Sequence, residues 1–93
     1  MNKTIWKFEL ETTGRQEIEM PIDAEILTAQ TKYETLCLWA LVDPTAKKEI
    51  RVFEVFGTGH PVYHDMGVSR NYIDSYQLNG GSLVFHVFEN TCV

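Results

Sequence analysis

The sequence predicts an all-β domain, a six- to seven-stranded antiparallel sandwich or small barrel with room for one short helix. Three observations carry this expectation. Apolar and polar residues alternate with a period of two through most of the chain, the mark of half-buried strands. Glycine, proline and asparagine fall between the alternating runs, where turns require them. Only residues 21–31 also carry a helical period.

"KTIWKFEL" (3–10) places Thr4, Trp6, Phe8 and Leu10 on one side and Lys7 and Glu9 on the other, so Trp6 faces inward. "RQEIEM" (15–20) has Ile18 and Met20 in and Glu17 and Glu19 out, and with Thr13-Gly14 as a turn the two runs are expected to form a hairpin. Residues 21–31 read two ways. Pro21 opens a helix in which Ile22 and Ile26 share a face, whereas alternation from Ile26 onward makes a strand from about Glu25 to Lys32. The strand is preferred because "YETLCLWALVD" (33–43) supplies its antiparallel neighbour through a short turn.

Within that neighbour, "TLCLWALV" (35–42) is apolar on both faces, Leu36, Leu38, Ala40 and Val42 against Cys37, Trp39 and Leu41, which predicts a central strand. Asp43-Pro44 ends it, since proline cannot donate to a ladder. "EIRVFEVF" (49–56) sets Ile50, Val52 and Phe56 against Arg51, Phe53 and Val55. "NYIDSYQL" (71–78) alternates Tyr72, Asp74, Tyr76 and Leu78 with Ile73, Ser75 and Gln77. Asn79-Gly80-Gly81 then turns the chain into "SLVFHVFE" (82–89), the strongest short hairpin signal present. Strands 35–42, 50–56 and 83–88 are apolar on both faces, although a two-layer sandwich needs one apolar face per strand. The second face must be covered by a helix at 21–31 or by a second copy of the chain, so a homo-oligomer is expected.

Composition bounds the function. The 93 residues suit one domain, 1–93, and 44% hydrophobic with 12% aromatic residues supports a packed core. A net charge of -5 argues against binding duplex nucleic acid by phosphate neutralisation and leaves room for a small anionic ligand held by local donors. Cys37 and Cys92 have no CxxC spacing, which suits a reducing cytoplasm. Charge interrupts the N-terminal apolar pattern and no apolar run approaches the roughly 18 residues of a membrane helix, so neither a signal peptide nor a membrane span is expected.

The segment "EVFGTGHPVYHDMGV" (54–68) is the candidate site. Gly57, Thr58, Gly59, His60 and Pro61 leave a strand directly, and two glycines one apart allow positive φ, so successive amides can converge on an anion. Thr58 adds a hydroxyl and His60 a ring donor, although a plain glycine-rich turn explains the same residues and no helix follows to make a phosphate loop. Arg51 and Arg70 flank the loop and can pair with phosphate, and Trp6, Trp39, Tyr63, Tyr72 and Tyr76 can stack on a planar ring. His86, on an otherwise apolar face with Val84 and Phe88, is either a hydrogen-bonded core histidine or the floor of a pocket. Arg51 shares a face with Phe53 and Val55 and needs a partner there: a ligand, Glu54 or Asp43.

No metal is expected, because His60, His64, Asp65 and His86 lack a spacing that imposes ligand geometry. No cofactor or catalysis is expected either. Cys37 sits in a buried strand, and neither GxSxG, HExxH nor a close carboxylate pair occurs.

At "KTIWKF", "LWALVDP", "FGTGHP" and "GGSLVFHVFE" the chain resembles a family of small proteins, mostly encoded in phages and prophages, that carry these blocks in this order over nearly the full length. "GTGHP" and "HVFE" are the recurrent blocks, here Gly57 to Pro61 and His86 to Glu89, whereas "VYHDMGVSR" lies outside the shared pattern. The resemblance implies a setting, the cytoplasm of an infected bacterium. Small phage proteins without catalytic groups often act there by binding, one mode being to sequester a nucleotide messenger of bacterial immunity. Two other expectations stand beside it: an inhibitor of a host or defence enzyme acting through Glu9, Glu11, Glu17 and Glu19, and a structural or assembly protein of the phage.

Overall fold

The computed structural model describes residues 2–12, 14–62 and 69–91. Strands β1 (Thr4–Leu10), β2 (Gly14–Pro21), β3 (Glu25–Lys32), β4 (Thr35–Val42), β5 (Lys48–Gly57), β6 (Arg70–Leu78) and β7 (Leu83–Asn90) follow in order, with one 3-10 turn at Asn79–Gly81. They form two antiparallel sheets, β1-β4-β3 and β2-β5-β7-β6, packed as a sandwich. The fold is all-β. Residues 25–32 are a strand, so the helical alternative for 21–31 is overturned. Pro21 ends β2 and Asp23, at φ 61, turns the chain into β3, which leaves no room for a first helical turn. Among the described residues no helix is long and apolar enough to cross a membrane.

The apolar periods dictate the core. Leu36, Leu38, Ala40 and Val42 of β4 lie in register with Leu10, Phe8, Trp6 and Thr4 of β1. Their buried face packs in one cluster with Met20, Phe53, Val55, Tyr76 and Val87 of the other sheet. The β3–β4 and β6–β7 hairpins form as the turn residues predict, the latter through Gly80 and Gly81 at φ 64 and 97.

One expected pairing does not form. β1 and β2 are not a hairpin: β1 pairs with β4 and β2 with β5, so the chain changes sheets between Leu10 and Gly14. The corner is held by Gln16, whose side-chain amide accepts from the Glu11 N–H and donates to the Glu11 carbonyl, both at 2.7 Å. A central strand apolar on both faces takes a partner on each edge, and β4 takes β1 and β3.

Two bulges lie where β3 meets β6. The registers shift between Ile26 and Thr28 and between Tyr72 and Asp74. Thr28 Oγ1 donates to Asp74 Oδ2 at 2.6 Å, and the Ala29 N–H reaches the same oxygen at 3.4 Å. Burial acts to raise the Asp74 carboxyl, but hydrogen bonds from Thr28, Ser75 and Ala29 outweigh it and hold the group below its ordinary 3.8. A carboxyl depressed in the folded state stabilises above its unfolded pKa of about 4, and that contribution is lost as pH falls through the folded value. Urea midpoints measured from pH 6 downward should therefore drop below about pH 4, and Asp74→Asn should reduce that drop. An unchanged pH profile in Asp74→Asn would show that the seam does not titrate.

Candidate functional site

The outward face of the β2-β5-β7-β6 sheet carries a continuous polar and aromatic band. β5 contributes Glu54 and Phe56, β7 His86, Phe88 and Asn90, and β6 Arg70 and Tyr72. At one end, Arg70 pairs with Glu54 through Nε–Oε1 at 2.8 Å and Nη2–Oε2 at 3.2 Å, Asn90 donates to the same carboxylate at 3.2 Å, and the guanidinium lies 5.6 Å from the Phe56 ring centre. In the middle, Phe88 meets Phe56 and Tyr72 edge to face, at 5.8 and 5.1 Å between centroids.

At the other end both nitrogens of His86 are engaged. Tyr72 Oη lies 2.9 Å from Nδ1 and Thr58 Oγ1 2.7 Å from Nε2. Three segments distant in sequence thus converge on one imidazole.

Thr58 is held there by its loop. Gly57 closes β5 opposite Phe85, the Thr58 N–H donates to Val84 O at 3.0 Å, and the His60 N–H donates back to Gly57 O at 3.0 Å across Gly59 at φ 87. The His60 ring lies against Gly57, where an added Cβ would fall 2.8 Å from ring atoms Cε1 and Nδ1. Beside this turn opens a hollow of about 370 Å³ lined by Gly57, Thr58, His60, Val84, Phe85 and their neighbours Ser82 and Leu83.

The structure brings Gly57, Thr58, Gly59, His60 and His86 together and disperses the rest of the expected site. Arg51 points into the sandwich, and its partner is neither a ligand nor Glu54 nor Asp43. Its guanidinium pairs with both oxygens of Glu89, at 2.6 and 2.9 Å, and donates to Ala24 O. Glu54 lies on the opposite face with Arg70, and Asp43 accepts from Thr45 instead.

Arg70 is on the loop's sheet face but at the far end of β7, opposite Asn90, whereas Gly57 is opposite Phe85. Trp39 belongs to β4 of the other sheet. Tyr63 lies outside the described residues, as do His64 and Asp65. Nor do the loop amides of Thr58 and His60 converge on an anion, because backbone carbonyls already take both. Among the described residues no three His, Cys, Asp or Glu side chains could share a metal ion.

Residues 1–92 match the family described as "Domain of unknown function (DUF7352)". The chain belongs to this family. Neither a curated protein nor a solved structure matches it. In this DUF7352 member Tyr72 is the site residue that sequence alternation misplaces. Strict alternation sets Tyr72 beside Asp74 and Tyr76, and the bulge after it moves Tyr72 to the other face, against His86 and Phe88.

Proposed function

We propose that the protein is a non-catalytic binding protein that sequesters a small anionic ligand of the nucleotide class, acting as a phage counter-defence protein inside an infected bacterium. The observation that carries this reading is the hollow at Gly57–His60, which Thr58, His60, Ser82 and Phe85 line and where Thr58 is held by His86, itself bonded to Tyr72. A hollow with an aromatic wall and a few convergent polar groups suits a planar ring, and Phe85 and the His60 ring supply that wall.

Binding is favoured over catalysis by the same geometry. A hydroxyl 2.7 Å from an imidazole is the spacing of an activated nucleophile, but the Thr58 and His60 N–H groups that could stabilise an oxyanion beside it are spent on carbonyls. With no helix at 21–31, a second copy is the cover available to outward residues such as Ile5, which is 57% exposed.

Thermal unfolding against a panel of linear and cyclic nucleotides tests the reading. A ligand at 100-fold excess over its Kd should stabilise by about 2.7 kcal/mol, and His60→Ala should abolish the shift while leaving the unliganded transition in place. A flat response across the panel would favour inhibition of a partner enzyme. That second reading draws support from Glu9, Glu11, Glu17 and Glu19, all exposed, while Arg51 and Arg70 are committed to carboxylates within the fold.

A further inference from the structure

We infer that the hollow recognises the hydrogen-bond-donating edge of an uncharged nucleobase and makes no contact with phosphate. The inference rests on the ligand reading above and specifies what the ligand must present. It follows from an account of protons at the lining groups.

Thr58 Oγ1 has one proton and two lone pairs. If His86 Nε2 carries hydrogen, it donates to Thr58, and the Thr58 proton goes to Val84 O at 3.3 Å. If Nε2 is bare, the Thr58 proton goes to the ring. In either tautomer, and in the imidazolium, the proton is used inside the protein and at least one lone pair is left over. Ser82, on the same lining, behaves alike: its Oγ donates to Asn79 O at 3.0 Å and keeps its acceptor capacity.

Three backbone N–H groups at the hollow are not available as compensating donors. The N–H groups of Thr58, His60 and Ser82 are bonded to Val84, Gly57 and Asn79 carbonyls. Val84 O accepts from the Thr58 amide and, when His86 Nε2 carries the hydrogen, from the Thr58 hydroxyl as well. In either of its neutral tautomers the His60 ring brings one donor and one acceptor, the mixed pattern that a base edge also carries.

A phosphate bears acceptors only, so it would face lone pairs at Thr58 and Ser82 and a protein of net charge -5. All three arginines, Arg15, Arg51 and Arg70, are paired with carboxylates. An exocyclic amine or ring N–H reverses the mismatch, donating to Thr58 while the base lies along His60 and Phe85 and any phosphates remain in open solvent.

Isothermal titration with nucleoside pairs that differ by one amine, adenosine against purine riboside and guanosine against inosine, tests the inference. The 5′-monophosphates are titrated at 50 and 300 mM NaCl. The amine-bearing member of at least one pair should bind at least tenfold tighter, and its monophosphate should match it within about threefold at both salt concentrations. Thr58→Val should erase the preference between the pair in a protein that still unfolds in one cooperative transition, its urea midpoint lowered by the loss of the Thr58–His86 bond.

Nucleotides binding tenfold or more above their nucleosides, with affinity falling at high salt, would overturn the inference and leave the binding reading standing. Equal binding within both pairs would overturn it as well. No binding of any probe would overturn both.

Discussion

Replacing Arg51 with methionine is expected to destabilise the fold by about 3–5 kcal/mol, the cost of leaving one member of a buried ion pair uncompensated. The Arg51 and Glu89 side chains are only 16% and 15% exposed, and the guanidinium is bidentate to the carboxylate while also satisfying Ala24 O. The pair joins β5 to β7 and ties both to the start of β3, so its loss reaches both sheets. Burying two charges is itself costly, and an apolar pair of similar volume avoids that cost. Arg51→Met with Glu89→Leu is therefore expected to recover most of the loss. Urea midpoints of the two single variants and the double variant read the coupling. Additive losses would show that the two side chains do not act as a pair. Ligand affinity at the Gly57–His60 hollow should be unaffected wherever the variants remain folded, since Arg51 lies six residues back along β5 from Gly57.

The second large effect has the opposite sign. Tyr76 is 5% exposed, its ring stacks on Phe85 at 5.5 Å, and its hydroxyl is buried without a hydrogen-bond partner among the described residues. Burial pushes its pKa up to about 12, so the phenol stays neutral and pays only for lost hydration. Tyr76→Phe keeps the stack and removes the orphaned group. Stability should rise by about 1–3 kcal/mol, the range for a buried unsatisfied polar group. For a domain of this size each kcal/mol corresponds to about 4–8 °C in Tm, so calorimetry resolves the gain easily. A lower Tm would mean that the hydroxyl has a role the static structure does not contain.

These residues mark where the sequence was legible. Alternating and doubly apolar runs located the strands, with 25–32 settled by its neighbour, and Asn79-Gly80-Gly81 located the last hairpin, because side-chain period and turn geometry are local properties of the chain. Alternation could also say that Arg51 shares a face with Phe53 and Val55 and needs a partner if that face is covered. It could not name Glu89, which is 38 residues away and meets Arg51 only through the pairing of β5 with β7. The glycine-rich turn was visible too, but the use of its amides was not. Whether the Thr58 and His60 N–H groups face a ligand or a carbonyl depends on how β7 and the turn itself lie beside them.

By itself the sequence determined the class of fold, the span of the strands within a residue or two, the central place of β4 in its sheet and the identity of the loop that borders the hollow. The tertiary structure decided the rest. It placed β1 and β2 in different sheets, engaged Arg51 and Arg70 with carboxylates, and moved Tyr72 across the sheet by a one-residue bulge to meet His86 and Thr58. The reason is physical. A period of two fixes which side chains share a face, whereas strand partners, bulges and ion pairs are chosen by contacts between residues far apart in the chain, whose energies no local pattern contains.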